Sequence, residues 1–276
     1  MGLSKDLNSK LEALTAFLKD KKIIVAFSGG VDSSLLAFLS KKYAKDTLLI
    51  TEASILYPEE EIEEASQFAQ KYGINHMIIE RDPLQDPDFQ CNPSNRCYIC
   101  KMGLYTDILA IRNSKNFDLI LDGSNMDDLS DYRPGMQALK ELNILTPYIE
   151  YKINKKEIRE ISKHFNLNVQ SKPSMACFSS RIPYGQKISQ DKLIMIRDAE
   201  KFLKNSFNLK QLRVRLHEPN LARIEFLIED LTKILTTNNL NLIKKRFKEL
   251  GFTYITIDLE GFRSGSMNEA LDFNLN

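Results

Sequence analysis

Net charge is what this chain has least of. Its 38 basic and 37 acidic side chains leave a formal charge of +1 over 276 residues. So balanced a chain is no bulk nucleic-acid coat, although a local basic patch would be hidden in the sum. Long apolar runs are missing too: nothing approaches the roughly 20 residues of a membrane span. Met1 to Lys22 mixes acids and bases among its apolar residues and has no h-region of a secretory signal, so the cytosol is the expected compartment. Cysteine is scarce, four in all, with three crowded between Cys91 and Cys100. In a reduced compartment that crowding points to metal or sulfur chemistry rather than to a disulfide scaffold. The histidines, His76, His164 and His217, are scattered and suit ordinary packing or surface roles. No internal repeat is visible. What is present is 43% hydrophobic and 27% charged residues, an ordinary globular balance that excludes collagen-like and wholly disordered classes. The length suits one large domain or two modest ones.

Residues 3–20 place Leu3, Leu7, Leu11, Leu14, Phe17 and Leu18 at helical spacing. Lys22 to Phe27 is a short β-branched apolar run of the kind buried in parallel sheets. It breaks at Ser28-Gly-Gly30, and a helix follows from about Ser33. Further strands are expected at 48–51, 77–79 and 118–122, and helices at 58–72, closed by Gly73, and 155–165. Glu59 to Glu64 reads as a solvated helix face. This alternation predicts an α/β fold with a parallel sheet. The pattern lapses over 83–101 and again over 171–185, two irregular segments expected to lead from the C-terminal edge of the sheet, where α/β folds bind ligands. Beyond them the grammar changes: a helix at 191–207, strands at 212–216, 222–227 and 253–259, and a helical stretch at 229–250 broken near Asn238-Asn239. Two domains are therefore expected, 1–172 and a smaller α+β unit at 173–276.

Ser28-Gly29-Gly30-Val31-Asp32-Ser33 sits between a buried strand and a helix. Paired glycines let the backbone turn sharply and bring its N–H groups to an anion, and the helix points its positive end at the same place. Ser28 and Ser33 add hydroxyls. Asp32, an acid beside a phosphate site, makes sense as a Mg²⁺ ligand. A plain strand-to-helix turn would explain Ser-Gly-Gly alone; its position and the Asp-Ser that follows favour phosphate binding. The hexapeptide resembles the PP-loop of the ATP pyrophosphatase superfamily, whose adenine nucleotide alpha hydrolase-like, HUP-type domain cleaves ATP between the α- and β-phosphates. It is not a Walker A loop, because no Gly-Lys-Ser/Thr follows.

Cys97-Tyr-Ile-Cys100, flanked by Arg96 and Lys101, can chelate one metal or cluster, and Cys177 lies in the other irregular segment. By spacing alone a structural zinc, a redox dithiol and a cluster all remain open. Arg213 and Arg215 alternate along a strand and share a face, where paired forks would grip a phosphate or carboxylate; taken alone they equally suit a solvated strand. Asp122 ends a strand before Gly123, a position that suits an adenylation site. Asp127, Asp128, Asp131 and Arg133 follow in a polar loop.

Together with the PP-loop, Asp122-Gly-Ser-Asn125-Met-Asp-Asp128, Asp131-Tyr-Arg-Pro-Gly135, Ser179-Ser-Arg-Ile-Pro-Tyr-Gly185, Arg213-Val-Arg215 and Gly261-Phe-Arg-Ser-Gly265 resemble the LarE family over nearly the whole chain. These are PP-loop sulfur transferases that help build the nickel-pincer nucleotide cofactor of lactate racemase. The resemblance implies ATP and Mg²⁺ at Ser28, Gly29, Gly30, Asp32, Ser33, Asp122 and Gly123. It implies catalytic roles for Asp32, Cys177, Ser180 and Arg181, and binding of the nucleotide substrate's phosphate by Arg181, Glu200, Arg213 and Arg215. The implied substrate is pyridinium-3,5-dicarboxylate mononucleotide, whose carboxylates are adenylated and become thiocarboxylates. One branch of the family sacrifices a single cysteine, at a position matching Ala176 here. The other holds a 4Fe-4S cluster on three cysteines and relays sulfide or another donor's sulfur. Cys97, Cys100 and Cys177 resemble the second branch, with Cys91 left out. A homo-oligomer is expected, and neither membrane nor nucleic acid as partner. The alternatives are another PP-loop enzyme such as a tRNA thiolase, with Lys244-Lys-Arg-Phe-Lys248 as a short basic stripe, a sacrificial Cys177, or a non-catalytic nucleotide or metal sensor.

Overall fold

The structure is a computed structural model that describes residues 3–129, 133–169, 176–263 and 265–269. It divides into two compact units. The first comprises Met1–Ser54, Pro58–Arg81 and Asn95–Met175; the second comprises Ile55–Tyr57, Asp82–Ser94 and Ala176–Asn276. The chain therefore lends two segments of its first half to the second unit, Asp82–Ser94 among them, which the sequence groups with the sheet domain. Hydrogen bonds explain why: the buried Asn92 side chain donates to the carbonyls of Ile182, Pro183 and Gln186 at 2.7–3.2 Å. Backbone bonds from Gly185 N to Asn92 O and from Ile188 N to Gln90 O complete the union.

In chain order, the first unit begins with α1 (Lys5–Leu18), β1 (Lys22–Ala26), α2 (Val31–Tyr43), β2 (Asp46–Ala53), α3 (Glu59–Tyr72) and β3 (Asn75–Glu80). A one-turn helix, α4 (Pro87–Gln90), belongs to the second unit, after which come α5 (Arg96–Lys115), β4 (Leu119–Leu121), α6 (Gly135–Glu141), α7 (Pro147–Glu150) and α8 (Lys155–His164). The four strands form one parallel sheet in the order β3-β2-β1-β4. β1 shows why the run Ile23-Ile24-Val25 is apolar throughout. Ile23 and Val25 face a core with Leu7, Leu11, Leu14 and Leu18 of α1, while Ile24 faces a second core with Tyr105 and Ile108 of α5. Both faces are covered, so none of these three positions can be polar. Gly73 closes α3 at φ +59°, the left-handed cap its sequence predicts.

One element is a correction. Cys97 and Cys100 stand at the second and fifth positions of the 20-residue helix α5, not in an irregular loop. The helix escapes a periodicity search because its fully or nearly buried residues are few (Arg96, Tyr105 and Ile108) and the first of these is charged. Asn95 precedes it without a side-chain capping bond, so the usual start signal is missing as well. α2 also begins earlier than expected, at Val31, which places Asp32 in its first turn.

The second unit carries α9 (Gln190–Phe207), β5 (Leu212–His217), β6 (Leu221–Phe226), α10 (Leu231–Ile234), α11 (Thr237–Glu249) and β7 (Tyr254–Ile257). Its sheet has the order β5-β6-β7, antiparallel then parallel. The helical break falls at Leu235–Thr236, not at Asn238-Asn239, because the Thr236 hydroxyl caps Asn239 N and carries both asparagines into α11. Among the described residues no helix is long and apolar enough to cross a membrane.

Candidate functional site

The loop after β1 is closed on itself before any ligand arrives. Gly29 takes φ +68°, open to glycine at little cost. Ser33 Oγ donates to Gly30 O at 3.2 Å and accepts from Ser28 N at 3.3 Å, and the two serine hydroxyls lie 3.2 Å apart. Gly30 caps α2 with no side-chain bond, so the cap supplies no side-chain acceptor to the first-turn N–H groups of the helix. Gly123 presses on this turn from β4: a Cβ there would stand 3.1 Å from Ser33 N and 3.3 Å from the carbonyl carbon of Asp32. The sequence-predicted residues Ser28, Gly29, Gly30, Asp32, Ser33 and Gly123 are thus brought together.

Asp32 is the unusual member. Its Oδ1 is buried with no hydrogen-bond partner, while its Oδ2 meets the ammonium of Lys155 at the start of α8. Burial raises the Asp32 pKa above the ordinary carboxylate value, opposed by Lys155. A buried carboxylate oxygen without a partner is costly in a finished structure. A hard cation is the ligand such an oxygen suits, and Mg²⁺ fits it.

Asp122 is brought to the edge of this turn but its carboxylate is fully engaged elsewhere. It accepts from Lys101 Nζ at 3.1 Å, from Ser124 N at 2.7 Å, and from the hydroxyls of Tyr105 and Ser124. Burial alone would raise its pKa; Lys101 and the three hydrogen bonds overcome that and bring it down to about 2. Lys101 and Tyr105 lie four apart on α5, one turn beyond the Cys97–Cys100 pair. Asp122 therefore anchors the cysteine-bearing turn, while its neighbour Gly123 holds the phosphate loop. Gly135 serves the same turn: a Cβ there would meet Lys101 Cδ at 2.9 Å and Cys97 O at 3.4 Å. Asp128 pairs with Arg133 at 2.8 Å. Asp131, Tyr132 and Ser264 of the quoted motifs lie outside the described residues, as do 171–175 of the second irregular segment.

In the second unit the arginines are not on a solvated face. Arg181 has no exposed surface, and Arg213 and Arg215 are 4% and 5% exposed. Arg181 meets Glu200 through two bonds, at 2.9 and 3.1 Å, and its Nη1 donates to the carbonyls of Ala176 and Cys177 and to Ser180 Oγ. Glu200 also accepts from Val214 N at 3.0 Å. Burial would raise the pKa of Glu200, but Arg181 and Arg213 hold it below its ordinary value. Arg215 forks onto Glu225 at 3.0 and 2.7 Å and reaches Ser266 Oγ and Ser180 O. Arg213 lies over the Phe262 ring, 5.1 Å from its centroid. Burial, with Arg181 close by, lowers its pKa to about 10. Cys177, Ser180, Arg181, Glu200 and Arg215 thus form one bonded set, in which Arg181 and Glu200 position the turn that carries Cys177.

Cys91 and Cys97 are exposed, Cys100 and Cys177 partly so, and none is in a disulfide. Sequence reasoning missed Lys155, Tyr105, Glu225 and Ser266. Glu225 stands opposite Arg213 in the β5–β6 register, which an expected hairpin would have exposed to view; Lys155 carried no signal beyond the start of a helix.

Residues 4–91 match the NAD synthase family model. The chain is 33% identical to the pyridinium-3,5-bisthiocarboxylic acid mononucleotide synthase of Lactiplantibacillus plantarum, over 96% of each chain. It belongs to the LarE family. Two uncharacterised relatives extend the likeness: a Synechocystis protein, 39% identical over 96% of this chain and 99% of that one, and a Methanocaldococcus jannaschii protein, 37% identical over 89% and 92%. LarE membership accounts for the PP-loop domain and the smaller C-terminal sheet as parts of one enzyme.

Proposed function

We propose that the protein is an ATP-dependent sulfur transferase acting on the carboxylates of pyridinium-3,5-dicarboxylate mononucleotide. A substrate carboxylate oxygen attacks the α-phosphorus of ATP and pyrophosphate leaves. A sulfur nucleophile then attacks the acyl carbon of the adenylate, AMP leaves, and the carboxylate has become a thiocarboxylate. The observation that carries the ATP half is the unpartnered, buried Oδ1 of Asp32 beside the closed Ser28–Ser33 turn. Mg²⁺ bound at Asp32 would supply charge neutralisation for the phosphates. The loop's amides and hydroxyls orient them, and Gly123 keeps the turn in register.

Arg213 and Arg215 are the residues proposed for the substrate's phosphate. Both are buried and share one face of β5, where two guanidinium forks would meet one phosphate. Arg181, wholly buried in its bonds to Glu200 and the Cys177 turn, acts through that turn.

Cys97, Cys100 and Cys177 are the proposed sulfur-handling residues. The first two sit three apart on one helical turn of the first unit, which suits two thiolates meeting one metal. Among the described residues, however, no group of three His, Cys, Asp or Glu side chains is placed to hold a metal ion. The described arrangement does not by itself build a 4Fe-4S site. The tRNA-thiolase reading has lost its aromatic: Phe247 of the basic stripe is fully buried against Phe252.

The experiment that tests the proposal is pyrophosphate release from ATP with the dicarboxylate nucleotide present. Asp32→Ala is expected to abolish it; unchanged release would sink the assignment.

A further inference from the structure

Lys155 opens α8, a helix started by a reciprocal capping box. Asn154 Oδ1 accepts from Glu157 N at 2.9 Å, and Glu157 Oε2 accepts from Asn154 N at 2.8 Å. The Lys155 N–H is itself fixed, donating to Asp127 Oδ2 at 3.2 Å. Its backbone is therefore pinned twice, while its side chain keeps four rotatable bonds and is 29% exposed. That side chain ends on Oδ2 of Asp32, the carboxylate whose other oxygen has no hydrogen-bond partner. Tyr148 holds the same turn from the backbone side, donating its hydroxyl to Asp32 O at 3.1 Å.

One carboxylate cannot keep both an ammonium and a divalent cation at contact distance without setting the two cations against each other. A metal arriving at Asp32 must displace Lys155. The nearest place of opposite charge is then the polyphosphate the same turn would hold. We infer that Lys155 is an exchangeable counter-ion: it neutralises Asp32 when the loop is empty and moves onto the phosphates of ATP when the metal takes its place. The inference rests on the reading of the loop as an ATP site and adds a phosphate-binding residue to it. It also gives the empty loop a reason to stay folded, since Asp32 is never left a buried charge without a cation. The exchange makes metal and nucleotide binding mutually supportive, because each accepts what the other releases.

The test uses the full-length protein and two ligands measured separately. Mn²⁺ binding without nucleotide is read by electron paramagnetic resonance, and ATP binding at saturating Mg²⁺ by calorimetry. Lys155→Gln removes the competitor at Asp32 and the donor to the phosphates together. Mn²⁺ should bind several-fold more tightly and ATP roughly tenfold more weakly, the loss expected for one charge-assisted contact. Lys155→Arg, which keeps the charge, should restore ATP binding to within a few-fold of wild type and confirm that the Gln variant's loss is not misfolding. Movement of both ligands in the same direction, or no change in ATP affinity, overturns the exchange while the ATP site stands. A wild-type protein that binds no ATP overturns the reading of the loop and the inference with it.

Discussion

Replacing Asp122 by Asn tests whether one buried carboxylate joins the phosphate loop to the cysteine turn. The Asp122 pKa falls from 3.8 to about 2 because Lys101, Ser124 and Tyr105 outweigh its burial. At about 1.36 kcal/mol per unit, that shift contributes about 2 kcal/mol to the folded state at neutral pH. The folded value lies below the unfolded one. The contribution is therefore whole above about pH 5 and disappears as the pH falls toward 2, with roughly half of it gone by pH 3. An asparagine cannot titrate. Urea unfolding of wild type and Asp122→Asn, followed by circular dichroism at pH 6, 4 and 3, should show the variant about 2 kcal/mol less stable at pH 6 and the gap narrowed by about 1 kcal/mol at pH 3. A gap that stays constant across that range would refute the ion-pair account of Asp122, whatever the variant does to activity.

The other predictions concern neighbouring contacts. Gly123→Ala should weaken ATP binding at a stability cost of about 1–3 kcal/mol, since the new methyl meets the Ser33 amide, a backbone group that cannot rotate away; calorimetry showing wild-type affinity would remove Gly123 from the loop's support. Arg213→Met should raise the apparent KM for the dicarboxylate nucleotide and leave that for ATP nearly unchanged, whereas Arg215→Met should also lower the melting temperature, because it takes the forked partner from the wholly buried Glu225. Equal melting temperatures for the two variants would contradict that division. The cluster implied by the family resemblance is tested by iron and acid-labile sulfide in anaerobically purified protein: both should be lost together in Cys97→Ala, Cys100→Ala and Cys177→Ala and kept in Cys91→Ala, whereas stoichiometric zinc, or dehydroalanine at position 177 after turnover, would exclude it.

Much of the sheet domain could be read from the chain because its signals are local. Ile23-Ile24-Val25, Gly73 and the paired glycines of the loop each report a conformation through their own chemistry. α5 could not be read in that way. Its packing depends on Tyr105 and Ile108 meeting β1 and on Lys101 and Tyr105 meeting Asp122, 21 and 17 residues further along the chain. A polar first turn then looks like a loop. The transfer of Asp82–Ser94 to the second unit is equally invisible, because it rests on one asparagine bonding to carbonyls some 90 residues on.

The arginines show where residue type misleads and pattern does not. Alternation put Arg213 and Arg215 on one face of β5, and they are there. Charge suggested that the face was wet, and it is dry. The strand is buried along Leu212–Leu216 because Ser180 and Phe262 lie over its polar face while α9 packs against the strand. A face lined by guanidinium groups can be covered only if carboxylates are buried with it, and Glu200 and Glu225 fill that role at 2% and 0% exposure. Arg223 joins the set, reaching Glu225 at 3.3 Å and pairing with Asp258, and so wide a buried network is not built for stability alone, since well-packed apolar side chains would hold the sheet at lower desolvation cost. The phosphate site proposed for Arg213 and Arg215 would account for that cost. Burial, with Arg181 close by, already lowers the pKa of Arg213, and a phosphate at the proposed site would favour its charged form.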